Sequence, residues 1–319
     1  MLKKATAGQT TQSLLNKYSL DSSTASSTPV TNSNRGEGLG GQNASGRVNI
    51  IDYIDIANTG DATDFGDLTV AREEPCGISN TTRTVAAGGT TGSADVNTMD
   101  YITQMTTGNA LDFGDMLVAA RGRFSMSSRS DRACMGGGSY GEISIGYIAI
   151  PTLGNGSDFG DLTLARGSGA SGSNNTRGVS MGGRTTATTQ NVIDFITIST
   201  TGDATDFGDL TQAVSSCCGV SNKTRAVRSG GNIAGSGEQN VLDYITIAST
   251  GNATDFGDMT TTCQSQAGGS NPTRGCIMNK YNAVDVIEYI TIETTGNALD
   301  FGDTTVGRNG AGGGDTSTG

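Results

Sequence analysis

The chain of 319 residues has no histidine and no tryptophan, only four prolines, and no apolar run approaching 18 residues. Without histidine there is no Ser–His–Asp or Cys–His nucleophile arrangement, and the common zinc ligand sets are out of reach. Six cysteines (Cys76, Cys134, Cys217, Cys218, Cys263 and Cys276) are present without CxxC spacing. They read as small buried thiols packed as hydrophobes, not as metal ligands or disulfides. Four prolines are too few for a Pro/Gly-rich disordered segment. The missing apolar run argues against a membrane-spanning helix. The start, MLKKATAGQTTQSLLNKYSL, lacks the apolar region of a secretory signal.

Basic charge is scarce as well. Lys and Arg number 20 against 31 Asp and Glu, a net charge of −11, and twelve of the acidic residues are the paired Asp of six DFGD motifs. Acidity is thus written into a repeat. No basic stripe of the kind nucleic-acid binding needs is present, so no nucleic-acid partner is expected. Three of the five lysines (Lys3, Lys4, Lys17) fall in the first 17 residues, so the front end differs in charge from the body.

What is abundant is glycine, 49 residues, and internal repetition. The stretch Tyr244 to Asp258, YITIASTGNATDFGD, occurs six times, the other copies starting at Tyr53, Tyr101, Tyr147, Phe195 and Tyr289. In every copy the leading aromatic and the motif Phe (Phe65, Phe113, Phe159, Phe207, Phe256, Phe301) are twelve residues apart. The Phe-to-Phe period varies, at 48, 46, 48, 49 and 45 residues. Insertions are admitted elsewhere, as in a repeat architecture with one supersecondary unit per period.

A second unit, S-N-x-x-R followed by Gly-Gly, has its Arg at Arg35, Arg83, Arg132, Arg177, Arg225 and Arg274, with Arg129 replacing Asn in the third copy and Asn279-Lys280 replacing Gly-Gly in the last. Asn favours local turn hydrogen bonds and Gly a close backbone approach. Seven residues before each Arg stands a small or modest side chain (Thr28, Cys76, Ser125, Ala170, Cys218, Ala267), as a crowded inner strand requires.

Each period therefore holds four strands: a near 213–220, b at 176–183, c at 191–200 and d at 62–72, in representative copies. Strand c alternates and is β-branched. Four antiparallel strands in about 47 residues describe one propeller blade. The reading is an all-β, six-bladed β-propeller over residues 28–308, preceded by an arm at 1–27 and followed by a Gly-rich tail at 309–319. The spacing of Leu14, Leu15 and Tyr18 in the arm is that of one face of a short helix, as in an anchoring arm that orders against a partner, the alternative being a disordered tail. The chain opens on the Arg unit and closes on the DFGD unit. The counts match at six only if N-terminal strands complete the C-terminal blade, which closes the ring and removes free sheet edges. The motif Phe is expected between blades, where burial contributes about 1.5–3 kcal/mol.

Gly182-Gly183, Phe195, Phe207 and, one repeat earlier, Arg166 fall in the order of the kelch repeat, which the chain resembles over residues 28–308, with Phe where kelch blades carry Trp. The wording TGNATDFGDLTVAR also resembles repeats of structural proteins in marine tailed bacteriophages, particularly cyanophages. The resemblance implies a virion component and supplies no catalytic residues.

DFG also occurs in kinases as a metal-binding motif, but six copies without a phosphate loop or catalytic loop exclude that chemistry. Asp61/Asp64/Asp67 and Asp203/Asp206/Asp209 are triplets of Ca²⁺-ligand type. Asp is missing from the first position of the other four copies, so turn capping is the better reading. The recurring Arg is expected to pair with the motif Asp of a neighbouring blade. No cofactor, metal or enzymatic activity is expected.

In an up-and-down blade, turns a–b and c–d share one face, and loops b–c and d–a the other. The first pair recurs almost unchanged, while the second carries nearly all the variation, so recognition is expected on the variable face. The third copy departs most, and Arg121, Arg123, Phe124, Met126 and Tyr140 are its candidate binding residues. The functional expectation is a non-enzymatic virion structural protein (fibre, appendage or capsid decoration) in a multi-copy assembly. It would join other virion proteins through residues 1–27 and present the propeller to a host surface glycan or protein. The alternative is a carbohydrate-binding propeller lectin with aromatic pockets on the variable face. A propeller hydrolase is a third class, lacking the acid/base constellation it needs.

Overall fold

The computed structural model describes residues 34–127, 132–139, 141–280 and 285–315; the expectations for residues 1–27 lie outside them. Within these residues the chain forms six small antiparallel sheets and no α-helix. A representative blade, the second, runs from its inner to its outer edge as a (Cys76–Ser79), b (Arg83–Ala87), c (Thr98–Thr103) and d (Leu111–Asp115). Blades three to six repeat it, with inner strands Phe124–Ser127, Ala170–Ser173, Cys218–Ser221 and Ala267–Ser270.

The first blade takes strands b to d from the N-terminal side (Arg35–Leu39, Ile50–Asp55, Thr63–Asp67) and its inner strand from Gly312–Asp315. Both ends of the ring therefore share one sheet, but in the opposite sense to that expected: one C-terminal strand completes a blade of three N-terminal strands, and each blade holds its own Arg and DFGD units, so their equal count does not by itself require the overlap. The segment 309–319 is not wholly a tail, because 312–315 is this closing strand. Its glycines serve the crowding at the ring's centre: a Cβ on Gly312 would sit 2.8 Å from the Pro75 carbonyl oxygen of the neighbouring inner strand. Each inner strand packs against the two beside it, all the way round.

Strand a of the fifth blade is shorter than expected, Cys218–Ser221 instead of 213–220. Residues up to Val214 extend strand d of the fourth blade, and Ser216, at φ 54°, breaks the chain between the two.

One irregularity recurs in every blade. Between strands c and d the register slips by one: Ile51 faces Gly66 and Asp52 faces Asp64, which leaves Phe65 as the extra residue of a β-bulge. The same slip falls at Phe113, Phe159, Phe207, Phe256 and Phe301. A bulge re-aims a side chain, and here it turns Phe towards the next blade. Phe65 packs with Leu39, Ile51 and Leu68 of its own blade region and with Ala86, Ile102 and Ala110 of the second. Six such clusters straddle the six seams, including the one that closes the ring around Phe301, Ile54 and Ile56. Each motif Phe is 2–3% exposed and meets its own blade's aromatic edge-on, at centroid distances of 5.8–6.1 Å.

Candidate functional site

The constant face is explained by its seams. The c–d turn of each blade laps over the DFGD bulge of the blade before it. Gly108 N donates to Phe65 O (2.8 Å), Asp67 N to Asn109 Oδ1 (3.1 Å), and Ala110 N to Asp67 O (2.8 Å). At the closing seam the bonds are Gly60 N to Phe301 O (2.9 Å), Asp303 N to Asp61 Oδ1 (3.1 Å) and Ala62 N to Asp303 O (2.7 Å). Gly66 has φ 147°, and a Cβ there would lie 2.5 Å from the Gly108 carbonyl. The phrase TGNATDFGD is thus the two halves of an interblade clasp. Asp61 and Asp203 act in it as backbone acceptors, interchangeable with Asn109, Asn155, Asn252 and Asn297. Among the described residues no group of three or more Cys, Asp or Glu side chains converges in a metal-holding arrangement.

The recurring Arg behaves differently from the expectation that it pairs with the motif Asp. Arg83 lies over the Tyr101 ring (4.8 Å to the centroid) and donates to the Ile150 and Pro151 carbonyls of the next blade's turn (3.1 and 2.9 Å). The other five Arg repeat the stacking and reach the matching turn. The motif Asp lie on strand d, at the outer edge of each blade. The Asn three residues earlier closes the a–b turn, Asn80 Oδ1 accepting from Thr82 N and Arg83 N (both 2.9 Å).

A second, buried cation fills each seam. Arg72, Arg166 and Arg308, trailing strand d, reach Asp100, Asp194 and Asp52 on strand c of the following blade at 2.7, 2.7 and 2.5 Å. Where the trailing Arg is absent, Arg228 pairs with Asp243 from the same blade, and Lys280 meets Glu288 at 2.9 Å. A Thr two residues after the DFGD motif adds a hydroxyl bond to the carboxylate, as Thr69 does to Asp100 (2.6 Å). The seam between blades two and three lacks all three residues: Leu117, Ala120 and Gly146 stand for Thr, Arg and Asp. Arg123 fills its cation slot, with Nη2 donating to Met135 O (3.1 Å) and Ser144 O (2.9 Å) and Nη1 to Val118 O (3.3 Å).

That seam contains the candidates of the third copy, and the structure separates them. Phe124 and Met126 are core side chains, 0% and 1% exposed, packed with Phe159 and Ile196. Their place on inner strand a, against the next blade, removes them from the variable face. Arg123 is also buried, and burial lowers its pKa. Only Arg121 is on the surface, 3.8 Å from Glu74 and 3.7 Å from Asp95. Tyr140 lies outside the described residues.

On the variable face the structure brings together residues that the sequence reading left apart. Glu74, Gly122, Ser168, Ser216, Ser265 and Gly310, one per d–a loop, all have φ between 54° and 60°. They bond head to tail: Glu74 N donates to Gly310 O, Gly122 N to Glu74 O, Ser168 N to Gly122 O, Ser216 N to Ser168 O, Ser265 N to Ser216 O and Gly310 N to Ser265 O, at 2.5–3.1 Å. This backbone collar surrounds the axis. Beside it lies a pocket of about 120 Å³ to which all six d–a loops contribute, with Arg123, Ser125, Ser171 and Gln266 in its walls. Burial raises the Glu74 pKa there, against the lowering effect of Arg121. Sequence spacing hinted at the collar only through the small residues seven before each Arg; the unusual φ values carried no signature.

These features define the chain as a six-bladed β-propeller of antiparallel strands, clasped at every seam. No protein-family model matches the chain, and no curated protein matches it significantly.

Proposed function

We propose that the chain is a non-enzymatic structural component of a bacteriophage particle, a fibre, appendage or capsid-decoration protein present in many copies. It presents the propeller for assembly or host-surface attachment and is joined to other virion proteins through residues 1–27. The observation that carries this reading is the seam. Six repeats of one clasp, built from backbone groups and Asn or Asp side chains, give a self-closed disc suited to display. The wording of the clasp is also what resembles phage structural proteins, and the kelch-like reading rests on Gly182-Gly183, Phe195, Phe207 and Arg166. Mass spectrometry and cryo-electron microscopy of purified particles test the proposal. The expected result is the disc on the particle, released when residues 1–27 are deleted. Particles devoid of the chain would overturn it.

The second reading, a carbohydrate-binding propeller, is favoured by the polar axial pocket on the variable face. It differs from the repeated aromatic pockets first expected of a lectin, since the axial pocket is lined by Ser and Gly with Pro75, Cys217, Cys218, two Ala and a few longer polar chains.

A further inference from the structure

Of the six clasps, the one at the seam between blades two and three differs in its chemistry. Its accepting residue is followed by glycine, Asn155-Gly156, where the other five clasps carry alanine (Ala62, Ala110, Ala204, Ala253, Ala298). The chain holds one further Asn-Gly pair, Asn309-Gly310. An Asn side chain is open to attack by the backbone nitrogen that follows it, and glycine, with no Cβ, leaves that nitrogen uncrowded. In the closed ring both reacting groups are engaged. Gly156 N donates to Asp115 O at 2.7 Å, and Asn155 Oδ1 accepts from Asp115 N at 3.0 Å. Gly154 N, donating to Phe113 O at 2.9 Å, fixes the turn from its other side. Asn155 is exposed, so water reaches it once these bonds break. This is also the seam that has Leu117, Ala120 and Gly146 in place of the Thr, Arg and Asp found elsewhere. Less therefore opposes its local opening.

We infer that this seam carries a one-way chemical switch: opening frees Asn155 to deamidate, and the isoaspartyl product keeps the clasp from closing again. The Gly156 nitrogen forms a bond to Asn155 Cγ, the Cγ–Nδ2 bond breaks, and ammonia leaves with the proton from Gly156 N. Solvent water then opens the five-membered imide at either carbonyl. The net change is an amide NH₂ exchanged for OH, with nothing oxidised or reduced. Opening at the backbone-derived carbonyl or at the side-chain-derived one decides the outcome. Where the ordinary peptide link is restored, the product is an aspartyl residue, which the clasp accepts, as Asp61 and Asp203 do in theirs. Where the link is left through the former side chain, one carbon is added to the backbone between the Gly154 and Gly156 amides. The carboxylate that remains is shorter by that carbon. The three bonds of the clasp then no longer fit together. Neither the virion reading nor the carbohydrate reading is required for this behaviour.

The experiment ages the full chain at neutral pH, in buffer and in urea, and follows Asn155 and Asn309 by peptide mapping with isoaspartyl-specific methylation. Asn155 is expected to convert at least tenfold more slowly in buffer than in urea that unfolds the chain. In urea below the unfolding transition its rate is expected to rise at least threefold. Asn309 should then change by less than twofold, because Gly310 N is bonded to Ser265 O in the collar and the adjoining Arg308 keeps its Asp52 partner. Gly156→Ala, which copies the other five clasps, is expected to slow conversion at Asn155 at least tenfold, even in unfolding urea. Chain carrying isoaspartate, returned to buffer, is expected to lose hydrogen-exchange protection at Gly154 and Gly156, whereas Asn155→Asp keeps it within threefold. Equal rates at Asn155 in buffer and unfolding urea, or no rise below the transition, would overturn the switch. So would Asn309 converting ahead of Asn155, an isoaspartyl chain whose two glycine amides stay protected, or loss of their protection in Asn155→Asp.

Discussion

At the scale of single residues, the most instructive pattern is a buried cation in every seam that comes from different places in the chain. Arg72, Arg166 and Arg308 trail strand d, Arg228 sits on strand b, Lys280 follows strand b, and Arg123 precedes strand a. What is preserved is charge in a slot, not a residue at a repeat position. Removing one partner strands the other in a dry site. Arg72→Met is therefore expected to cost about 3–5 kcal/mol by chemical denaturation, and Arg72→Met with Asp100→Leu to recover most of it. Phe207→Ala, which empties a bulge-directed side chain, is expected to cost about 3–5 kcal/mol in the same assay.

The thiols are inert for a related reason. Burial pushes the pKa of Cys76, Cys217 and Cys263 to about 11 and that of Cys134, Cys218 and Cys276 to about 12. At pH 8 the reactive thiolate is then about a thousandth of each or less. A thiol-modifying reagent is expected to label the native chain negligibly and the denatured chain at all six positions.

At the scale of elements, the bulge and the turn explain one another. The slipped register at Phe65 exposes Phe65 O, Asp67 N and Asp67 O to the incoming turn of the next blade, which takes up all three. An outer strand that would otherwise offer an open edge is partly covered by its neighbour. The weak element is the seam between blades two and three, where Arg123 makes no ion pair at bonding distance and feels Glu142 only from farther off. A Cβ on Gly146 would meet only Ser157 O at 3.5 Å and Leu117 Cβ at 3.9 Å, so a side chain fits there. Gly146→Asp is expected to restore the ion pair and raise the melting temperature by several degrees. An unchanged or lower value in differential scanning calorimetry would contradict this account of the seam.

For the whole molecule, closure depends on four residues near the C-terminus. Gly312–Asp315 pairs with Arg35–Leu39 and packs against the inner strands on both sides. A chain ending at Arg308 would leave the first blade with three strands and the collar without Gly310. It is expected to lose its single cooperative melting transition and to associate through the open inner edge, as seen by calorimetry and light scattering. Adding the missing strand as a peptide should restore part of the loss.

Much of this was legible because repetition amplifies weak signals. Six copies of a fixed twelve-residue spacing locate strands c and d better than any propensity, whereas the equal count of the two units reflects one of each per blade and did not reveal the closing strand after the last DFGD. The Gly in DFGD, inside a strand pattern, was a legible mark of a bulge. The third-copy site was misread for a physical reason. Arg123, Phe124 and Met126 look like surface variation in a line of text, yet inner strand a is the most buried part of a blade.

The sequence alone determined the number of blades and the placing of strands b, c and d, because each is a matter of spacing along the chain; that a C-terminal strand closes the first blade was decided by the tertiary structure. Only the tertiary structure decided which cation fills which seam, and that six d–a loops meet in a bonded collar beside a polar pocket. The collar residues lie 45 or more residues apart along the chain, with no common sequence mark. Their proximity arises from the ring itself, which returns every loop to the same axis.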